Sequence, residues 1–542
     1  MPCCGTSRGL SAAPIVFSLI QSGSESRTQA TESRVKQLGR LVLSTATLLA
    51  ALVVGEGGLR LVDGVPLDRL EAVPASPVPA SRRDRERGRR LVAELSVSPG
   101  VERSWYDLDP PPLAAQPIDS AMAARAGAYR AFGLPALYEW NRAYLTKLAC
   151  DDPPAFAQQF GPLESVFVFE AVGGDPFPTF RFLRHAAYPS RLITNAFGWR
   201  GPEVALDKPK RTVRIAFVGA STTAGFHAAP FSYPEYLETW LNQWSDAGGL
   251  GVRFETLNAA REGINSTSIA AVVSQEVAPL EPDMVVYYEG SNQFWPSSYV
   301  DWPGGVVPVR PRIDPRAPWR LERISVAAVR LHLLLDAWRN TGAEPKKPQL
   351  PVLWPADLDE GDPALDATNL PINLPTILRD LSRIRTSARE AGGELAVASF
   401  MWFVWDGMYL DRSRHGSVFH YLNETFWPFR YAHLRRFADF QNRVLAKFAV
   451  SHGEVFLDFA SAFPRDVAFM SDAIHFTPEG MRLQAWVMFQ QLLPVIDQRI
   501  KQGRWPQADR RPARVHPAFA QPDRLLEPVS GFAAACSKDP AR

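Results

Sequence analysis
Five short apolar runs punctuate the chain from residue 213 onwards: Val213–Val218, Phe254–Leu257, Met284–Tyr288, Leu395–Phe400 and Val455–Phe459. Each is of strand length, and Val213–Val218 is nearly continuous rather than alternating, the pattern of a strand buried on both faces of a parallel sheet. Only Arg214 breaks the first run. Between the runs the apolar spacing becomes helical. Leu237, Trp240, Leu241 and Trp244 form one stripe, Leu374, Ile377, Leu378, Leu381 and Ile384 a second, and Leu434, Phe437, Gln441, Val444, Leu445 and Phe448 a third. Thr477-Pro478-Glu479 reads as an N-cap with proline at N1, opening a last helix that runs to about Ile500. Alternating strands and helices predict one α/β domain over residues 211–500, with a parallel sheet of about five strands covered on both faces.

The remaining pattern divides the chain further. Residues 1–33 are small and polar and read as a disordered N-terminus. Arg34, Lys36 and Arg40 then precede an uncharged stretch from Leu41 to Gly55. Counted on to Val62, it reaches the ~20 residues a bilayer requires, which predicts a membrane anchor over 34–62. Glu56 and Arg60, one turn apart, are placed to pair. Basic residues ahead of the span lean towards a cytoplasmic N-terminus and an extracytoplasmic bulk.

Residues 63–118, rich in proline and charge, read as a linker. Residues 119–210 read as an accessory region. It holds a helical stretch around Ala121–Leu148 and a β-like stretch from Val166 to Phe182, interrupted at Gly173-Gly174-Asp175-Pro176. An insertion over 294–371 carries an apolar helix from about Leu321 to Trp338. It suits a lid or a membrane-surface element, and equally suits packing on the core. Residues 501–542 read as a tail.

A chain of 542 residues is long enough for a large core. A net charge of +2 implies no polyelectrolyte partner. The basic run Arg82–Arg90 contains Asp84 and Glu86 and no aromatic residue, so it reads as a solvated linker and no nucleic-acid partner is expected. The four cysteines, Cys3, Cys4, Cys150 and Cys536, form no C-x-x-C pair, and neither H-E-x-x-H nor a Walker loop occurs. Neither a metal nor a cofactor is expected.

The chemistry begins where the first run ends, at Gly219-Ala220-Ser221-Thr222-Thr223. Ser221 falls at the carboxyl edge of the sheet, where α/β proteins place ligands. A serine nucleophile needs a base, and that base needs a group to hold its tautomer. The turn is not a G-x-S-x-G elbow, because Thr223 stands where glycine would be required. His475, between the last strand and the last helix, is the candidate base, and Asp472 lies three residues before it. Candidate oxyanion donors are the Ser221 N–H, the Gly263 N–H and the Asn292 amide, the last two following the second and third runs. Taken singly, each of these residues also suits a turn, a cap or a surface loop.

Together they form four blocks in order: Ser221 in GAST, Gly263, Asn292 in GSN, and Asp472 with His475 in DAIH. This arrangement resembles the SGNH (GDSL) hydrolase family. Thr194–Glu203 (TNAFGWRGPE) is similar to the lead-in of its membrane-anchored bacterial members. The resemblance implies a flavodoxin-like three-layer α/β/α sandwich and hydrolysis of esters or thioesters through an acyl-enzyme. Ser221, His475 and Asp472 would be catalytic, and Ser221, Gly263 and Asn292 would hold the oxyanion. Ala220 and Gln293 replace two aspartates of the family pattern that brace these loops. The expected function is a membrane-anchored, extracytoplasmic serine esterase acting on an ester or an acylated glycan or lipid. The alternatives are an O-acyltransferase of envelope polysaccharide and a non-catalytic glycan- or lipid-binding module. Met401–Trp405, with Phe294-Trp295, is a candidate acyl pocket.

Overall fold
The computed structural model describes residues 18–63, 67, 82–113, 169–171, 180–182, 193–225, 230–261, 264–293, 300, 325–339, 350–408, 410 and 415–507. The chain divides into two units. One comprises Met1–Pro74 with Trp319–Gly342, the other Ala75–Pro318 with Ala343–Arg542.

In the larger unit, β1 (Phe169–Ala171) and β2 (Phe180–Phe182) form a small antiparallel pair within the β-like stretch. The five-stranded sheet comprises β3 (Thr212–Gly219), β4 (Arg253–Asn258), β5 (Met284–Tyr288), β6 (Glu394–Ala398) and β7 (Val455–Leu457). Its spatial order is β4-β3-β5-β6-β7 and every pairing is parallel. Counted in order of appearance that is 2-1-3-4-5, the flavodoxin-like winding, whose switch point lies between β3 and β5. β3 and β5 are buried along their whole length, as their continuous apolar runs require. β6 and β7 end earlier than their apolar runs, at Ala398 and Leu457; beyond them the Ser399 N–H donates to the Leu457 carbonyl at 2.9 Å and Ser399 Oγ meets Asp458 Oδ1 at 3.2 Å.

The helices cover the sheet in two groups. Tyr233–Ala247 packs with Pro478–Lys501, and Leu374–Glu390 packs with Ser266–Val272 and touches Tyr431–Ser451. The stripe Leu237, Trp240, Leu241 and Trp244 is buried as its spacing predicts. Thr477 caps the last helix by accepting the Gly480 N–H at 3.1 Å, with Pro478 at its first position.

Several boundaries differ from the expected ones, because a few large side chains carry flanking segments into the core. The stretch read as a linker contains a helix, Arg82–Glu94, and buries Val92, Trp105 and Tyr106. Tyr106 Oη donates to Glu479 at 2.6 Å, and Trp486 packs edge-on against its ring at 5.7 Å. The basic run therefore makes specific ion pairs. Arg85 bonds Glu479 at 2.7 Å, Arg89 bonds Asp107 at 2.8 Å, and Arg87 pairs with Asp466. The accessory region merges with the main unit from residue 193 onwards, with Phe197, Trp199 and Arg200 buried. Trp354 stacks on Phe437 at 5.4 Å, so the end of the insertion joins the same unit. Trp505 is buried and the Gln507 N–H reaches Asp283, so the unit extends past 500 into the stretch read as a tail. The helical stretch expected around Ala121–Leu148 lies outside the described residues.

In the smaller unit one helix runs from Ser18 to Asp63. It begins inside the stretch expected to be disordered, which contains no proline beyond Pro14 to stop a helix propagating back from the span. Its segment Gly39–Val62, 24 residues, is long and apolar enough to cross a membrane, and its most apolar window is wholly unburied. The insertion helix spans Val326–Arg339.

Candidate active site
Ser221 stands at the carboxyl end of β3, at the switch point. Gly219 permits the turn, since a Cβ there would sit 2.3 Å from both the Tyr288 carbonyl oxygen and Thr223 Oγ1. Ser221 heads the short helix Ser221–Ala224, closed by Gly225 at φ 82°. Its own N–H therefore has no intrahelical acceptor. The turn is braced from three sides. Thr223 Oγ1 donates to the Tyr288 carbonyl at 3.2 Å, Asn258 Nδ2 donates to the Thr223 carbonyl at 3.0 Å, and Arg200 reaches the Gly225 carbonyl at 3.3 Å. Arg200 is itself buried and held by Glu235 at 2.9 Å. The TNAFGWRG stretch thus has a physical task, supporting the turn that carries Ser221.

His475 lies in the loop between β7 and the last helix, where Met470 and Phe476 form a β-bridge. Asp472 Oδ1 accepts the N–H groups of Ile474 and His475, each at 2.8 Å, and Oδ2 meets His475 Nδ1 at 2.7 Å. Burial pushes the Asp472 carboxyl up, but the His475 hydrogen bond and charge and the two backbone N–H groups outweigh it. The group stays below its ordinary value and ionised. With its proton on Nδ1, the imidazole turns an Nε2 lone pair towards Ser221, and Ser221 Oγ lies 2.8 Å from His475 Nε2. Ser221 and, 254 residues further on, His475 with its neighbour Asp472 form one continuous hydroxyl–imidazole–carboxylate line.

No family model matches this chain, and no curated protein matches it. Similar solved structures include Axe2, an acetylxylan esterase from Geobacillus stearothermophilus, at 14% identity and TM-score 0.29, covering 52% of this chain and 94% of that one. A GDSL-like lipase from Bacteroides thetaiotaomicron is 12% identical at TM-score 0.27, over 54% of this chain and 92% of that one. LAE5, an alpha/beta hydrolase enzyme from the metagenome of Lake Arreo, is 13% identical at TM-score 0.28, over 51% and 94%. Likenesses this distant carry no argument about the chemistry of this chain.

Asn292 lies in the loop after β5. Its backbone N–H donates to Glu289 Oε1 at 2.8 Å and its Nδ2 to the Ile264 carbonyl at 2.8 Å. The amide has a second N–H that this bond does not use. Gly263 lies outside the described residues, as do Phe294 and Trp295.

Within the aromatic run Met401, Trp402 and Phe403 are buried. The Phe403 N–H donates to the Ala473 carbonyl at 2.8 Å, which ties this loop to the Asp472–His475 loop. Tyr421 stands edge-on to His475 at 6.4 Å, and Trp402 packs against Tyr421. A separate cavity of about 360 Å³ opens at the ends of β6 and β7 between Trp405, Asp439, Arg443, Asp458 and Arg465, and none of the three aligned residues lines it. Among the described residues no cluster of His, Cys, Asp and Glu has the makings of a metal site.

Sequence reasoning missed Glu289. It is buried, and its carboxylate accepts the Asn292 N–H at 2.8 Å with the Gly290 and Ser291 N–H groups turned towards it, so it braces the loop that carries Asn292. The available signal was an acidic residue directly after an apolar strand. Burial pushes the Glu289 carboxyl up to about 7, against those backbone bonds. Its folded value is thus raised above the unfolded one, so its contribution to stability is complete below about pH 4.5 and is lost as pH rises through about 7. Glu238 is likewise pushed up to about 7 by burial. Glu289→Gln is expected to flatten the fall in melting temperature across this window without abolishing it, because Glu238 remains. Scanning calorimetry from about pH 4 to 8 measures this, and an unchanged slope would refute the assignment.

Proposed function
We propose that this chain is a serine ester hydrolase working through an acyl-enzyme, held at a membrane by its N-terminal helix with the α/β unit outside the cytoplasm. The observation that carries the reading is the line from Ser221 Oγ through His475 to Asp472, with contacts of 2.8 and 2.7 Å at the sheet's switch point. A glycan- or lipid-binding module needs no such line. Arg34, Lys36 and Arg40, ahead of the span, support the orientation.

Ser221 Oγ attacks the ester carbonyl carbon while its proton passes to His475 Nε2. Asp472 stabilises the imidazolium at Nδ1–H. The Ser221 N–H, the Gly263 N–H and the Asn292 amide hold the oxyanion of the tetrahedral intermediate. Its collapse breaks the ester C–O bond, and the leaving alcohol takes the proton from His475. Water, activated by the same imidazole, then attacks the acyl-enzyme and releases the acid with Ser221 restored. The second half would equally serve a sugar hydroxyl as acceptor, which is how an O-acyltransferase would use this site.

Incubating the full chain with 4-nitrophenyl acetate, with and without an added oligosaccharide, tests the reading. The expected result is acetate released in step with nitrophenolate under both conditions. Acetylated oligosaccharide formed at the expense of acetate would assign a transferase, and no turnover by folded protein would contradict both.

A further inference from the structure
The smaller unit is inside out by the standards of a water-soluble protein. Arg60 is 6% exposed, whereas Val53, Val54, Leu61 and Val62 on the same helix are 72%, 75%, 69% and 76% exposed. The charge is inside and the aliphatic side chains are outside. In water, apolar burial drives the opposite arrangement, so this distribution suits a hydrocarbon surrounding.

What encloses the charge is the insertion helix. Glu56 bonds Arg60 Nε at 2.9 Å. Its carboxylate also accepts Ser325 Oγ at 2.9 Å, the Val326 N–H at 2.8 Å and the Ala327 N–H at 3.0 Å. A carboxylate near a bilayer and the open N–H groups of a helix start are both costly when water is scarce. Here each satisfies the other, which fixes the start of Val326–Arg339 at the end of the span. The insertion helix has 14 residues, about 21 Å at 1.5 Å per residue, short of the roughly 30 Å hydrocarbon core. It cannot cross. Leu331 and Leu334, three residues apart on one face, are nevertheless 52% and 67% exposed.

We propose that Val326–Arg339 is a second membrane contact, an interfacial helix pinned to the end of the span by Glu56, with Leu331 and Leu334 seated in the acyl boundary of the bilayer. The occupant of this face is lipid, because Glu56 fastens the helix to a span whose own aliphatic side chains, Val53, Val54, Leu61 and Val62, are exposed in the same way. This rests on the membrane-anchor part of the proposed function. The insertion is then a device for holding the chain against the membrane surface, in addition to the span itself.

The test uses the full chain in vesicles of phosphatidylcholine and phosphatidylglycerol at about 3:1. The four cysteines are replaced by serine, and a nitroxide is attached in turn through Leu48→Cys, Leu331→Cys, Leu334→Cys and Val450→Cys. Leu48 lies mid-span, and Val450, 74% exposed, serves as the reference in the larger unit. Collision with oxygen is expected to exceed collision with a water-soluble nickel chelate at Leu48, Leu331 and Leu334, with shallower depth at the last two, and the order to reverse at Val450. Nickel access at Leu331 and Leu334 with a lipid-like signal at Leu48 would overturn the proposal and leave the anchor intact. Labels at Leu331 and Leu334 shielded from both reagents would overturn it in favour of a protein partner. A nickel-accessible label at Leu48 would overturn the anchor reading and this proposal together.

Discussion

His475→Ala is expected to lower kcat on a simple acetate ester by about 10⁴-fold or more, with KM changed little. A serine hydroxyl is almost wholly protonated at neutral pH, and among the described residues the base set against Ser221 Oγ is His475 Nε2, at 2.8 Å. Without it the proton has no acceptor as the C–O bond forms. Ser221→Ala removes the nucleophile itself and is expected to cost a similar factor. The double variant should be no worse than either single one, because the two residues act as one unit. Asp472→Asn makes a finer test. Asparagine can still accept the Ile474 and His475 N–H groups through its oxygen, so the loop is retained. Its amide N–H₂, turned to Nδ1, disfavours the tautomer that presents a lone pair to Ser221. A loss of about 10²–10⁴-fold in kcat is expected, with the fold intact by circular dichroism. Steady-state kinetics on the three variants measure all of this, and near-wild-type turnover by His475→Ala would refute the assigned base.

Arg214→Ala is expected to destabilise the larger unit by about 3–5 kcal/mol, the cost of breaking a buried charged network by removing one partner. Arg214 is fully buried on β3. Its Nε bonds Glu255 on the neighbouring strand at 2.7 Å, and its two terminal nitrogens bond the Leu280 carbonyl at 2.7 Å and the Ala205 carbonyl at 2.9 Å. Alanine would leave a carboxylate and two carbonyl oxygens without these donors, and a cavity in the middle of the sheet. Urea unfolding followed by tryptophan fluorescence reads the change as a lower midpoint with an unaltered slope. Replacing Arg214 and Glu255 together with methionine and leucine should recover much of the loss, since an apolar pair leaves no uncompensated charge. A loss below about 1 kcal/mol for Arg214→Ala would show that the network is not a stabilising tie.

The same residue marks how far the sequence can be read. β3 and β5 were legible because strands buried on both faces are apolar nearly throughout, and the helices because their stripes face the sheet. Arg214 looked like an interruption because its partners lie 41, 66 and 9 residues away, and nothing local announces them. Trp105, Tyr106 and Trp505 were lost in polar, proline-containing stretches for the same reason: Tyr106 meets Glu479 across 373 residues. The meeting of Ser221, His475 and Asp472 could be anticipated because all three follow strands of a parallel sheet, and such strands all end on one edge. Glu289 could not. Its carboxylate folds back onto its own loop, and the sequence shows only a charged residue after a strand.

Labelling the full chain with a fluorophosphonate, followed by peptide mass mapping, addresses the central claim most directly, because the reagent reacts with an activated serine whatever the natural substrate is. The account predicts one adduct, on Ser221, absent from Ser221→Ala and formed far more slowly in His475→Ala. Folded wild-type protein that takes up no label, or takes it up on a different serine, would contradict it.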